Sequence, residues 1–289
     1  MTLREYFSLM LAGMSSYMCG PMEQPNGTLK TTSCPCGQSN KRVRIVGGEE
    51  TAPNQYPFML LLVMTKDLQH FCGASILTQR HAITAAHCTY PLKPNTSISV
   101  VAGAHDKRKI NQRSVVVPVQ KYLIHESYSP TLVMDDISLL FLQKPLRFGP
   151  NVSPICIPTK KMCLENKDVL MIGWGMTGGD KPASNVLRRI DVKILPYHVC
   201  KYNYFFMYNP FPWKVSQICT RAKGKGGCRG DSGGPVIYLD PEVRSYVLAG
   251  LVSFGEATCS TDYPTVETDV SYYVSWITSR IKEGYCHKV

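Results

Sequence analysis

The sequence predicts an all-β protein, a sandwich or a barrel. The first observation behind this is a series of short β-like runs: Phe58 to Met64, Ser75 to Leu77, Ile98 to Ala102, Val115 to Val119, Ser138 to Leu142, Val169 to Ile172, Val192 to Leu195, Val236 to Leu239 and Val247 to Val252. The second is that turn residues separate these runs, the spacing expected of many short strands. A third observation limits the helical content. Only near the end do apolar residues recur at helical spacing, at Val270, Val274, Ile277 and Ile281, with Ser271 near the start and Gly284 as a stop. No internal repeat or low-complexity tract interrupts the pattern.

Ahead of the strands, the stretch from Gly20 to Asn40 is rich in Pro, Gly, Ser and Thr and reads as a linker. Residues 1–33 carry two readings. "YFSLMLAGM" (Tyr6 to Met14) has the apolar character of a signal-peptide centre, with Gly13 and Ser15 placed for cleavage. Against it, Glu5 follows Arg4, which leaves no clear positive excess; the rival reading is the remnant of an upstream module. No apolar run approaches the roughly 18 residues of a membrane span.

The chain has 289 residues, enough to bury a sizeable core as one large β-domain or two packed halves. Its 44% hydrophobic and 18% charged content exclude disordered and fibrous classes. Twelve cysteines, at positions that repeat no zinc-ligand spacing, point to an oxidising, extracellular home and a secreted protein. Glycosylation sequons start at Asn26, Asn95 and Asn151, the last weakened by Pro154. The net charge of +11 favours anionic surfaces or polymers, yet no nucleic-acid-binding motif accompanies it.

Three separated motifs carry chemistry. "TAAHC" holds His87, "DDISLL" holds Asp136 and "GDSGGP" holds Ser232. A serine hydroxyl is a poor nucleophile at neutral pH and needs a base to take its proton. Histidine suits that task, and a buried carboxylate fixes its tautomer and stabilises the imidazolium that forms. Taken singly, a histidine before a cysteine reads as structural and GDSGG as a turn. The order His, Asp, Ser is what makes them a set.

On these motifs the chain resembles the chymotrypsin/trypsin-type serine endopeptidases from Ile45 to the C-terminal helix. The "CPCG…RIVGGEE" entry is also similar to arthropod secreted, venom and salivary proteases. The resemblance implies two six-stranded antiparallel β-barrels with the active site between them and a C-terminal α-helix. His87 and Asp136 then come from the first barrel and Ser232 from the second. Residues 1–44 become an N-terminal signal or upstream remnant plus linker and activation segment, and 45–289 the protease domain. Cleavage after Arg44 would free an ammonium at Ile45 to pair with Asp231, ordering the loops that carry an oxyanion hole at Gly230 and Ser232. The implied disulfides are Cys72–Cys88, Cys200–Cys219, Cys228–Cys259 and Cys36–Cys156, the last keeping the pro-segment attached. The pairing of Cys19, Cys34, Cys163 and Cys286 is left open.

The resemblance also places Gly226 where trypsin-like relatives carry the pocket aspartate. With Gly227, Gly255 at the mouth and Thr265 inside, this implies an uncharged, shortened pocket for Leu, Met or Phe. Glu267 stands where relatives commonly carry an aromatic residue at the back of the pocket. Turned inward it would accept a basic side chain; turned outward it would pair with solvent or a cation. Ser253, Phe254 and Gly255 are expected to pair with an extended substrate backbone, Ser253 also supporting the catalytic aspartate. The resemblance also implies that Arg229 overhangs the mouth, favouring acidic residues near the scissile bond, or is simply a solvated rim residue.

Two surface stretches remain. "AHDKRKINQR" (Ala104 to Arg113) offers four cations and one aspartate, a poor calcium loop. Its Lys107 to Arg113 part reads as a solvated loop or as an exosite for an acidic segment or anionic polymer. "KYNYFFMYNPFPW" (Lys201 to Trp213) is a long aromatic loop between two cysteines. The implied partners are protein or peptide substrates, an activating trypsin-like protease and serpin-type inhibitors. No cofactor, metal, nucleic acid or membrane span is called for. The competing reading is an inactive protease-like binding protein, which the intact triad and GDSGG stretch disfavour.

Overall fold

The structure is a computed structural model that describes residues 29–40, 49–110, 114–176, 181–207, 214–222, 229–256, 258–281 and 284–289, with the side chains of 205–207 left aside. Two closed six-stranded antiparallel barrels make up its bulk. Strand β1 (Glu49–Glu50) comes first and lies outside both. The first barrel uses β2 (Met59–Met64), β3 (His70–Ile76), β4 (His81–Thr84), β5 (Ile98–Ala102), β6 (Val115–Ile124) and β7 (Ser138–Leu142), in the order β2-β3-β4-β7-β6-β5. The second uses β8 (Asp168–Gly173), β9 (Arg188–Ile194), β10 (Gln217–Arg221), β11 (Pro235–Asp240), β12 (Ser245–Phe254) and β13 (Thr265–Asp269). Its order is β9-β10-β13-β12-β11-β8, closed by the β8–β9 ladder, and β1 adds to β9 through Glu49 opposite Arg189. Closure removes the exposed edges that a sheet would otherwise present.

Strand β2 shows why the two barrels hold together. Its sequence, MLLLVM, is apolar at every position because both of its faces are covered. Leu60 and Leu62 point into the first barrel with Ala74, Ile76, Val100 and Leu140. Met59, Leu61 and Val63 point the other way, into a shared core with Trp174, Ile237, Leu248 and Leu251 of the second barrel. Each fully buried leucine contributes about 1.5–3 kcal/mol. The helix α3 (Val274–Arg280), preceded by a 3₁₀ turn at Val270–Tyr272, adds Trp276 and Ile277 to that core.

Residues 29–40, read above as part of a linker, are packed onto the barrels. Cys34 is bonded to Cys286 and Cys36 to Cys156. Thr32 bridges Lys288, and Lys30 and Lys288 both pair with Glu242. At Gly37, with φ +62°, the backbone passes so close to Tyr246 that an added Cβ would lie 2.0 Å from its carbonyl oxygen. Only glycine fits there.

The start of the aromatic loop also differs from expectation. Tyr197–Met207 is a helix, α2, anchored by the buried Tyr204 and by the Cys200–Cys219 disulfide. Strands β4, β10 and β13 escaped the sequence reading as well.

Candidate active site

His87 sits on α1 (Ala86–Thr89), the short turn of helix that follows β4. The Cys72–Cys88 disulfide ties this turn to β3. Asp136 lies just before β7 and is 1% exposed. Its Oδ2 is 2.7 Å from His87 Nδ1, and its Oδ1 accepts the His87 backbone N–H at 2.8 Å. Burial lowers the affinity of His87 for a proton, but the charge and hydrogen bond of Asp136 outweigh it and leave the imidazole above its ordinary value. With Nδ1 held by the carboxylate, Nε2 is the remaining ring nitrogen, and it lies 3.7 Å from Cys88 Sγ.

The second barrel reaches across to the same carboxylate. Ser253 Oγ, on β12, donates to Asp136 Oδ2 at 2.5 Å, and Thr268 Oγ1, on β13, donates to the Asp136 carbonyl at 2.7 Å. Ser232 is placed by its backbone. Its carbonyl accepts from Gly73 N–H of β3 at 2.7 Å, and the next residue, Gly233, donates to Val252 of β12 at 2.8 Å. Among the described residues no hydrogen bond joins Ser232 Oγ to His87 Nε2; such contacts commonly tighten only with substrate bound.

The Asp231 carboxylate lies against the end of β8 and the residues that follow it. Gly175 N–H donates to its Oδ1 at 2.8 Å, and a Cβ at Gly173 or Gly175 would fall within 2.1 or 2.2 Å of its carboxylate. Gly230 has φ +98° and its missing Cβ would lie 3.1 Å from Gly175. The Lys107 ammonium approaches the same region, 3.5 Å from the Trp174 carbonyl, and feels the Asp231 charge.

Ligand atoms of Cys72, His87 and Cys88 also gather here. The two sulfurs are bonded to each other, so they offer no thiolate to a metal.

The chain matches the trypsin family over residues 45–277. The chain belongs to that family. It is 33% identical to venom serine protease 34 of Apis mellifera over 265 residues, 89% of this chain and 63% of that relative. It is 36% identical to trypsin-1 of Astacus astacus over 241 residues, 81% of this chain and 98% of the relative. With the clotting factor G beta subunit of Tachypleus tridentatus it shares 32% over 256 residues, 84% of this chain and 81% of the relative. This trypsin-family chain is thus a serine endopeptidase.

The specificity region is partly described. Gly226, Gly227 and Cys228 lie outside the described residues, as do Arg44, Ile45 and Arg113; Cys259 and Cys163 are disulfide-bonded. Gly255 faces Thr265, whose Cγ2 would sit 3.1 Å from an added Cβ. Glu267 is wholly buried. Its Oε1 accepts from Thr265 Oγ1 and from Thr220 Oγ1, each at 2.8 Å, while Oε2 has no hydrogen-bond partner among the described residues. Burial pushes this carboxyl up to about 8, against which the two threonine hydrogen bonds pull only weakly. Thr220 and Thr268 were not singled out from the sequence. They become visible only through the β10–β13 ladder, where Thr220 stands opposite Thr265.

On the basic loop, Asp106 is taken up by Arg108, which donates to it through both backbone and guanidinium. Asn95 and Asn151 are exposed.

Proposed function

We propose that this chain is a secreted zymogen that hydrolyses protein peptide bonds through an acyl-enzyme, with Ser232 as nucleophile, His87 as base and acid, and Asp136 as the orienting carboxylate. The observation that carries the reading is the double contact of Asp136 with His87, reinforced by Ser253 from the other barrel. With Nδ1 held, Nε2 takes the proton of Ser232 Oγ as the oxygen attacks the scissile carbonyl. The oxyanion that forms is stabilised by the backbone N–H groups of Gly230 and Ser232. His87 then returns the proton to the leaving amine, and water repeats the sequence on the acyl-enzyme.

Activation follows cleavage after Arg44 by a trypsin-like protease, the Ile45 ammonium pairing with Asp231. The pro-segment then stays bound through Cys34–Cys286 and Cys36–Cys156. Near neutral pH the enzyme cleaves after Leu, Met or Phe, because the carboxyl of Glu267 is kept uncharged by burial and Thr265 narrows the pocket behind Gly255. Serpin-type inhibitors are the expected regulators, and the Lys107–Arg113 loop an accessory contact for acidic segments.

The test is labelling with a fluorophosphonate before and after cleavage by trypsin. Labelling that appears on Ser232 only in the cleaved form, together with hydrolysis of Leu, Met or Phe peptides, supports the whole reading. No labelling after cleavage points to an inactive protease-like protein.

A further inference from the structure

Glu267 is an unusual occupant for its place. It sits on β13 opposite Val252 of β12, one residue from Ser253, which bonds the candidate catalytic aspartate. A chain of contacts leads from it to the cleft: Glu267 Oε1 to Thr265 Oγ1 at 2.8 Å, and Thr265 Cγ2 to the space over Gly255. One carboxyl oxygen is thus anchored twice, by Thr220 and Thr265, and the other is buried with no partner among the described residues. A buried polar atom left unsatisfied is costly, so its presence asks for a reason.

We propose that Glu267 is a proton-gated selectivity element: neutral, it leaves the pocket to apolar side chains; ionised, it admits lysine or arginine before the scissile bond. The inference rests on the proposed function, in that Gly255 and Thr265 line the primary pocket and the buried Glu267 stands directly behind Thr265.

The surroundings support a gate. Thr220 and Ile218 face Glu267 from β10, Gly250 and Val252 from β12, and Thr265 from its own strand. None of these is charged. Arg221 belongs to the opposite face of β10 and is bonded to Asn203 and the Asp262 carbonyl. Asp269, two residues along β13, is paired with Lys161. The carboxyl therefore has no resident counter-ion among the described residues, and burial holds it neutral up to about pH 8. A substrate ammonium or guanidinium hydrogen-bonded to Thr265 Oγ1 would lie within about 6 Å of it. An opposite charge at about 4–6 Å lowers a carboxyl pKa by about 1–3 units, so cation binding expels the Glu267 proton to solvent.

The experiment compares kcat/KM for two peptide series, differing only in Lys or Leu before the scissile bond, on the trypsin-cleaved enzyme from pH 6 to 9. The Lys-to-Leu ratio cancels the titrations of His87 and of the new N-terminus, which act on both series. It is expected to rise about 50-fold between pH 6 and pH 8 and then level, as the ionised fraction of a group titrating near 8 rises. Glu267→Gln should flatten the ratio with pH, and Thr265→Val should lower its plateau. A ratio that is flat in the wild type, or that keeps its rise in Glu267→Gln, overturns the gate. Absence of turnover on both series, with no fluorophosphonate labelling, would instead strike at the proposed function.

Discussion

Asp136 grips His87 at two atoms, accepting the backbone N–H at 2.8 Å and standing 2.7 Å from the ring Nδ1. One carboxylate thereby sets both the position of the helical turn and the tautomer of its side chain. Asp136→Asn keeps the shape but offers the ring an amide, and kcat is expected to fall about 10⁴-fold. A further consequence is thermodynamic. Because the folded pKa of His87 is raised above 6.5, its protonated pair with Asp136 stabilises the fold fully below that pH and is lost as pH rises through the folded value. The Tm deficit of Asp136→Asn should therefore be larger at pH 5.5 than at pH 8.5. Equal deficits at both pH values would contradict the ion pair.

Ser232→Ala removes only the proposed nucleophile. Turnover should drop by about 10⁶-fold, while zymogen cleavage and Tm stay near the wild type. Peptidase activity within tenfold of normal would exclude Ser232 from the role.

The supporting hydroxyl of Ser253 is a separate matter, because it belongs to the other barrel. Ser253→Ala withdraws a 2.5 Å hydrogen bond from a buried carboxylate, an interaction class worth about 1.5–3 kcal/mol. The expected loss in kcat/KM is about 10- to 100-fold with little change in KM. A change confined to KM would mean that Ser253 serves substrate binding alone.

Two disulfides tether the segment ahead of Arg44, so a single lesion should not release it. After trypsin cleavage, non-reducing electrophoresis should show one band for the wild type and for a Cys34→Ala/Cys286→Ala pair, and two bands on reduction. Arg44→Gln should stay uncleaved and inactive, and Asp231→Asn should be cleaved yet weakly active. A full-speed Arg44→Gln enzyme would end the zymogen reading.

How much of this was legible beforehand follows from what each residue must do. His87, Asp136 and Ser232 stood out because their chemistry tolerates few substitutes, and the apolar strands stood out because β2, β5 and β7 bury nearly every side chain. Strand β13 did not. Its sequence, TVETD, is polar yet fully buried, since its threonines and Glu267 face partners on β10 and in the first barrel, and Asp269 pairs with Lys161. Pattern reading sees polarity and infers a loop. With β13 and β10 unrecognised, the Thr220–Glu267 contact was out of reach. The Cys34–Cys286 bond joins residues 252 apart, a distance at which only the folded chain selects the partner.

The same carboxyl makes a prediction about stability that needs no substrate. An acid whose pKa climbs from 4.5 unfolded to about 8 folded binds its proton more tightly in the native state throughout that window. Stability must then decline as pH rises from about 4.5 to 8, on the order of 4 kcal/mol in all, because unfolding releases the proton. Glu267→Gln keeps an oxygen for Thr220 and Thr265 and has no proton to lose. On a Ser232→Ala background, which prevents self-digestion, the variant should match its parent near pH 4.5 and exceed it by about 10 °C in Tm at pH 8. The pH dependence is what separates this from simple repacking, which would shift Tm by the same amount at every pH. A constant difference would mean that Glu267 binds its proton no more tightly in the native fold than in the unfolded chain, and with that the neutral pocket would fail too.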